Sequence, residues 1–323
     1  MNILVTGGAG FVGSNIVEAL LNEEQVKNVK ILDNLSTGSL KNLKDFFHHP
    51  KFEFVQGDIR DYDTCLRACE GVNRVIHQAA LGSVPRSIKD PITTNEVNIN
   101  GTLNVFNAAK ECGVDRVIYA ASSSTYGDSQ GLPKVEDKIG NPLSPYAVTK
   151  LVNEQYAKVF GDLWDVDFIG LRYFNIFGPK QNPNGAYAAV IPLFFKAALR
   201  GDAPNINGDG SYSRDFTYVA NAVQANLKAL FTENEAALNQ VYNVAVGERT
   251  TLNELWANIK EITGSKASAT YGPNRAGDIP HSLASIDKAK NLLTYDPKYT
   301  VKDGLALACD WYQSVFAEEE VLA

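Results

Sequence analysis

Six short apolar runs punctuate the first half of the chain: NILVT at 2–6, VKILD at 29–33, FEFVQ at 52–56, RVIHQA at 74–79, RVIYAAS at 116–122 and VDFIGLRY at 166–173. Longer stretches with helical spacing lie between them, among them FVGSNIVEALLNE, DTCLRACEG, NINGTLNVFNAAKECG and SPYAVTKLVNEQYAKVFG. Near-continuous apolar strands alternating with amphipathic helices predict repeated βαβ units, hence an α/β fold with a doubly wound parallel sheet covered on both faces. The last two helical stretches end at Gly113 and Gly161, each placed to cap a helix C-terminus.

After about Asn175 the texture changes. Loops rich in Gly, Asn and Pro (FGPKQNPNGAYAAV, NINGDGSYSRDF, YGPNRAGDIP) are interspersed with the helical patterns AVIPLFFKAALRG and TLNELWANIKEITG. Loops of that length in a compact protein usually surround a ligand. The pattern divides the chain into a first domain, 1–175, and a smaller C-terminal α/β domain, 176–323, with a segment near 213–247 returning to the first.

Candidate chemistry begins in the first twenty residues. NILVTGGAGFVGSNIVEAL sets Gly7, Gly8, Gly10 and Gly13 between a strand and a helix. Glycines there allow a tight turn, backbone approach to a pyrophosphate and close helix packing, while the helix N-terminus attracts phosphate. Asp33 ends the next strand 20 residues beyond Gly13, where a carboxylate bonds the adenosine ribose hydroxyls and repels a 2′-phosphate. The expectation is a Rossmann-type NAD site over 1–175. In GDIRD, Asp58 and Ile59 either flank the adenine or form an ordinary strand-end turn.

The strand RVIYAASSSTYGD carries Ser122, Ser123 and Ser124 at its C-terminal end, the edge where open α/β sheets bind ligands. Tyr146 follows 24 residues after Ser122, and Lys150 lies one helical turn further on the same face. Taken alone, a Tyr–Lys pair at this spacing is commonplace on helices. With the glycine loop and strand-end serine, the chain resembles the extended short-chain dehydrogenase/reductase family over nearly its whole length, and within it the NAD-dependent nucleotide-sugar 4-epimerases.

The resemblance implies that Tyr146 is the general acid/base, Lys150 binds the nicotinamide ribose and lowers the phenol pKa, and Ser122 bonds the reacting oxygen. It places Asn98 near the site and adds Phe11, Val12, Asn34, Gln78 and Tyr173 to the cofactor-binding set. A phenol titrates near pH 10, so working as a base at neutral pH requires a fall of about three units, or ~4 kcal/mol.

The fold hosts several reactions, so local residues must choose. Dehydratases of the family carry an Asp-Glu pair, and UDP-glucuronate decarboxylases a glutamate, where this chain has Ser123-Ser124-Thr125. The remaining minimal set fits C4 epimerisation: oxidation at C4, rotation of the keto sugar and return of the hydride to the other face.

LRYFNIFGPKQNPNG resembles the family's RYFN segment and implies that Asn175 touches the diphosphate or sugar. Arg214 and Arg275 supply planar donor forks suited to a diphosphate, and Asp278 suits uridine ribose hydroxyls; the alternative for Arg214 is pairing with Asp209 or Asp215. His281 reads as a structural polar group. Ser282 aligns with a position where a tyrosine confines relatives to plain hexoses, so a serine leaves room for an N-acetyl group. Likeness to the bacterial subgroup acting on UDP-N-acetylglucosamine and its uronate implies that Gly82, Ser83, Ser123 and Ala189 line the sugar pocket. Alternatives are the uronates, UDP-glucose, and a catalytically silent NAD-binding sensor or scaffold.

Composition narrows the partners. With 323 residues, 45% hydrophobic, the chain has a sizeable core, and a net charge of −7 argues against nucleic acid or an anionic membrane surface as a partner. Cys65, Cys69, Cys112 and Cys309 form no CxxC pair and read as apolar fillers rather than metal ligands, suiting a reducing cytoplasm. No signal peptide or membrane span is recognisable. The helices INGTLNVFNAAKE and YAVTKLVNEQYAKVF carry apolar residues on more than one face, which predicts either core burial or, as in family members, a homodimer.

Overall fold

The computed structural model describes residues 1–184, 188–273 and 279–322. Six parallel strands arise from the apolar runs: β1 (Asn2–Thr6), β2 (Asn28–Asp33), β3 (Phe52–Gln56), β4 (Arg74–His77), β5 (Arg116–Ser122) and β6 (Asp167–Tyr173). The chain then forms short strands β7 (Ile176–Phe177), β8 (Asn205–Asn207), β9 (Ser213–Arg214) and β10 (Thr217–Tyr218). It returns to the main sheet with β11 (Gln240–Val244) and ends its strands with β12 (Thr250–Thr251) and β13 (Thr270–Gly272). The seven-stranded sheet runs β11-β6-β5-β4-β1-β2-β3, all parallel, with the order reversing between β1 and β4.

The helices are α1 (Phe11–Leu21), α2 (Tyr62–Cys69), α3 (Val84–Lys89), α4 (Pro91–Asn95), α5 (Gly101–Glu111), α6 (Pro145–Leu163), α7 (Val190–Arg200), α8 (Val219–Phe231), α9 (Leu252–Thr263), α10 (Asp287–Leu293) and α11 (Val301–Leu322). Side chains alternate across each strand, so Ile3 and Val5 enter the core shared with α1, α8 and α10, while Leu4 enters the core shared with α2 and α5. A third core, with Phe194, Phe195, Trp256, Ile259, Leu305 and Tyr312, joins α7, α9 and α11.

The sequence signals at helix ends have distinct fates. Ser144 caps α6 by accepting from the Ala147 amide at 3.1 Å, with Pro145 at the first helical position. Gly113, Gly201 and Gly264 adopt positive φ just past their helices. Gly161 does not end α6, which continues to Leu163; it is a close-approach site, since a Cβ there would lie 2.6 Å from Asn239 Oδ1. Of the two helices expected to show apolar residues on several faces, α5 buries Val105, Phe106, Ala108 and Ala109 within the subunit. On α6, by contrast, Val148, Tyr156, Val159 and Leu163 are exposed beside Ile88 and Ile92.

Candidate functional site

A cavity of about 540 Å³ opens at the C-terminal edge of the main sheet, over the point where strand order reverses. Its walls include Gly7, Gly10, Phe11, Val12 and Gly13 from the first turn, and Asp33, Asn34, Asp58 and Ile59 from the ends of β2 and β3. The glycines are required there. Gly7 sits at φ +69°, and a Cβ on Gly13 would lie 2.2 Å from the Gly7 carbonyl oxygen. The α1 amides of Phe11, Val12 and Gly13 have no protein acceptor among the described residues and border the cavity. Three free amides beside a glycine cradle fit the diphosphate of a dinucleotide.

Asp33 is buried, and its two oxygens accept from the Ala9 amide at 2.9 Å and the Leu35 amide at 2.8 Å. It thereby fixes the glycine loop while facing the cavity; burial pushes its carboxyl above the ordinary range. Asp58 is held down to about 2, chiefly by the Arg60 guanidinium that bonds it at 2.8 Å, and it accepts from Asn34 Nδ2 at 2.9 Å. Tyr173 and Gln78 form a small ring of hydrogen bonds with Asn226, which fixes both against the same cavity.

Ser122, Tyr146 and Lys150 line the same space. Ser122 Oγ accepts from the Ser124 amide at 3.1 Å and lies 2.9 Å from the Ser124 hydroxyl. Ser124 therefore supports Ser122. Burial raises the Tyr146 phenol pKa, and a hydrogen bond with Ser122 opposes that rise. Lys150 donates to the Ala120 carbonyl at 2.8 Å, and burial pushes its ammonium down to about 8 while Glu154 pulls it upward. Glu154 continues the face of α6 that carries Tyr146 and Lys150, at four-residue steps. It is clasped in a fork by Arg172, at 2.9 and 2.7 Å, and both side chains are buried.

Behind this row His77 is locked as a neutral imidazole. The Thr102 hydroxyl spends its hydrogen on the Asn98 carbonyl at 2.7 Å, so it accepts from His77 Nε2 at 3.0 Å. Nδ1 then accepts from Thr6 Oγ1 at 2.7 Å. Burial, with Lys150 nearby, pushes this histidine down to about 3. Asn98 is buried and does not border the cavity. Its side chain holds the Leu81 backbone at 2.8 and 3.2 Å and bonds Thr149 at 3.1 Å, so it acts through its neighbours.

A second cavity, about 570 Å³, meets the first at Ser123 and Asn175. Asn175 has φ +37°, a left-handed turn where the chain leaves the sheet. Arg214 and Ser282 line this second space, with Tyr126, Lys134 and Ser144, which sequence reasoning did not single out. Arg214 Nη1 donates to the carbonyls of Ser213 at 3.0 Å and Pro280 at 3.2 Å. Asp215 is directed elsewhere: it accepts from the amides of Val246, Gly247 and Ala284, and burial pushes it up to about 7. His281 Nδ1 lies 2.9 Å from Ser213 Oγ.

Gly82 borders the first cavity, whereas Ser83 caps α3 by accepting from the Arg86 amide. Ala189 is exposed at the start of α7 and borders neither cavity. Arg275 and Asp278 lie outside the described residues. No helix among the described residues is long and apolar enough to cross a membrane.

Residues 3–245 match the NAD dependent epimerase/dehydratase family. A UDP-glucose 4-epimerase of Mycolicibacterium smegmatis is 36% identical over 316 residues, covering 97% of this chain and 99% of that protein. A UDP-N-acetylglucosamine 4-epimerase from Methanobrevibacter ruminantium, solved with UDP-N-acetylmuramic acid, is 38% identical with a TM-score of 0.91, covering 97% of this chain and 98% of that one. A UDP-glucuronic acid 4-epimerase from Bacillus cereus, solved with UDP-glucuronic acid and NAD, is 30% identical with a TM-score of 0.90, covering 98% and 100%.

Proposed function

The chain belongs to the NAD dependent epimerase/dehydratase family, and from that premise we propose that it is an NAD-dependent 4-epimerase of a UDP-hexose, with UDP-N-acetylglucosamine as substrate. The observation that carries this reading is the row of Ser122, Tyr146 and Lys150 along the first cavity, whose wall meets that of the second at the neighbouring Ser123 and at Asn175. The residues Ser123-Ser124-Thr125 carry no acid that would divert the keto sugar to elimination or decarboxylation.

NAD, held along the first cavity, would supply the acceptor and donor of the hydride that C4 epimerisation needs. The chain's own residues manage the proton. Tyr146 Oη takes the C4 hydroxyl proton and later returns it, and Ser122 Oγ bonds the same oxygen. Lys150 supplies the positive charge that lets a buried phenol ionise, since burial alone raises its pKa. Asp33 would hold the adenosine ribose of the cofactor and the free amides of α1 its diphosphate. Ser282, small and on the wall of the second cavity, supports room for the N-acetyl group. Residues 1–175 and 176–323 divide the labour between cofactor and sugar, with β11 returning to the cofactor sheet.

Incubation with UDP-N-acetylglucosamine and no added nucleotide, followed by proton NMR at the anomeric and C4 positions, tests the reading. Appearance of the galacto epimer is expected; no change even with NAD supplied would sink it.

The exposed apolar strip of Val148, Tyr156, Val159 and Leu163 on α6, continued by Ile88 and Ile92, supports a second copy of this chain as its cover, making the working form a homodimer. Light scattering on Val159→Glu/Leu163→Glu should give the 35.2 kDa monomer and on the wild type twice that. A monomeric wild type would end the dimer reading. The four free cysteines suit a reducing cytoplasm.

A further inference from the structure

Asp215 stands between the two-residue strands β9 and β10 and is fully buried. No lysine or arginine of the described residues pairs with it. Its carboxylate bonds backbone amides instead: Oδ1 accepts from Val246 at 3.0 Å, and Oδ2 from Gly247 at 3.1 Å and Ala284 at 3.3 Å. A buried carboxylate without a counter-cation costs stability, and here only amides from two separate loops offset that cost. What the charge contributes is the tie between those loops.

The tied segments carry part of the wall of the second cavity. Arg214 directly precedes the carboxylate and Ser282 lies two residues before Ala284; both line that cavity. The Ser282 amide donates to the Ser213 carbonyl at 3.0 Å, so the stretch 282–284 is held at both ends beside β9. Asn175, on the walls of both cavities, donates from Nδ2 to the Asp215 carbonyl at 3.4 Å, and its own carbonyl accepts from the Thr217 amide at 3.2 Å. Three wall residues far apart in the chain thus hang on one buried residue. The far edge of the stretch is pinned as well, because the Lys134 amide donates to the Leu283 carbonyl at 2.7 Å and the Ser285 amide to the Lys134 carbonyl at 2.9 Å. Asp215, Val246 and Gly247 border neither cavity, so the carboxylate joins a loop to a wall that the loop does not touch.

We propose that Asp215 is a positioning residue for the nucleotide sugar: by holding Asn175, Arg214 and Ser282 in one frame, its carboxylate sets the affinity of the second cavity without touching the ligand. This rests on the UDP-sugar reading of that cavity. Asparagine has the same shape but one acceptor oxygen. Whichever way it turns, its NH2 group meets at least one backbone N–H, so at least one tie is lost. A frame that serves the bound sugar throughout the reaction shows itself in KM rather than in kcat.

Asp215→Asn and Asp215→Ala are compared with the wild type at pH 8, above the value of about 7 to which burial pushes the carboxyl. Calorimetry on the NAD-loaded proteins measures affinity for UDP and for UDP-N-acetylglucosamine, while thermal melts and NAD released on denaturation report on the fold. Both variants should weaken both ligands about tenfold or more, with full NAD content and kcat at saturating sugar within about threefold of wild type. Undiminished affinity in folded Asp215→Asn would overturn the inference, as would a parallel loss of NAD and turnover with KM unmoved, the mark of a merely structural group. Hydrogen–deuterium exchange on the wild type needs no variant to fold: UDP should slow exchange at 246–247 as well as at 282–284. Protection confined to 282–284 would overturn the inference too. A wild type that binds neither ligand would sink the UDP-sugar reading and the inference with it, whereas binding that both variants leave untouched sinks the inference alone.

Discussion

Glu154→Gln tests whether the buried acid on α6 sets the working charge of Lys150. Burial holds the ammonium at about 8, and Glu154 is the group that keeps it from falling further. Side chains four residues apart on a helix lie about 6 Å from one another, and at an effective dielectric near 20 that separation is worth ~3 kcal/mol, or about two pKa units. Arg172, bonded to the same carboxylate at 2.7 and 2.9 Å, offsets part of that field. A net fall of about one unit is the working value. With the ammonium titrating near 7 instead of 8, its charged fraction at pH 8 drops about fivefold, while at pH 6 it barely changes. The assay is the pH dependence of kcat/KM for the UDP-sugar, from pH 5.5 to 9, in both proteins. The alkaline limb should move about one unit toward acid, with near-normal activity at pH 6. A uniform loss at every pH would instead mark Glu154 as a packing partner of Arg172, and an unmoved limb would refute the electrostatic argument. Thermal melts run alongside, because leaving Arg172 buried and unpaired costs ~3–5 kcal/mol of stability.

Three further substitutions probe separate parts of the site. Tyr146→Phe should cut turnover by about 10²–10⁴-fold while NAD released on denaturation stays at wild-type amounts; full activity would remove Tyr146 from the mechanism. Ser282→Tyr should lower kcat/KM for the N-acetylated sugar at least about tenfold more than for the plain hexose, and equal losses would discredit the size gate. Asp215 keeps its proton in the fold up to about 7, whereas an unfolded aspartate loses it near 4, so the fold binds more protons in that window and stability falls as pH rises through it. Urea melts should show the wild type losing about 3 kcal/mol relative to Asp215→Asn between pH 5 and pH 8; a constant difference would mean the carboxylate is ionised in the fold throughout.

The main sheet was legible because interior parallel strands are apolar on both faces and stand out against the helices between them. The cofactor wall was legible for a related reason: its residues cluster in short motifs at strand ends, as with Gly7 to Gly13 and Asp33. Gly161 misled because a glycine after a helical stretch ordinarily marks its end, whereas here it lies inside α6 where Asn239, 78 residues later, leaves no room for a Cβ. Lys134, Glu154 with Arg172, and the amide clasp of Asp215 depend on segments that meet only in three dimensions. The Lys134 backbone bonds reach residues more than 100 positions away, and no local pattern announces them. The two-residue strands β7, β9, β10 and β12 are too short to impose a period. Ser83 and Ala189, placed in the sugar pocket by likeness alone, stand at the starts of α3 and α7, where Ser83 accepts from the Arg86 amide.

Among the described residues the two cavities share Ser123 and Asn175 on their walls, and Asn175 sits in a left-handed turn. Among the described residues the first cavity draws all but Asn175 and Ile176 of its wall from upstream of that turn, whereas the second joins a larger upstream part, from Val84 to Ala147, to Arg214, Ile279 and Ser282 from downstream of it. A substitution at Arg214, Ile279 or Ser282 can therefore reshape the second cavity while leaving the wall of the first untouched, whereas one at Ser123 or Asn175 alters both at once.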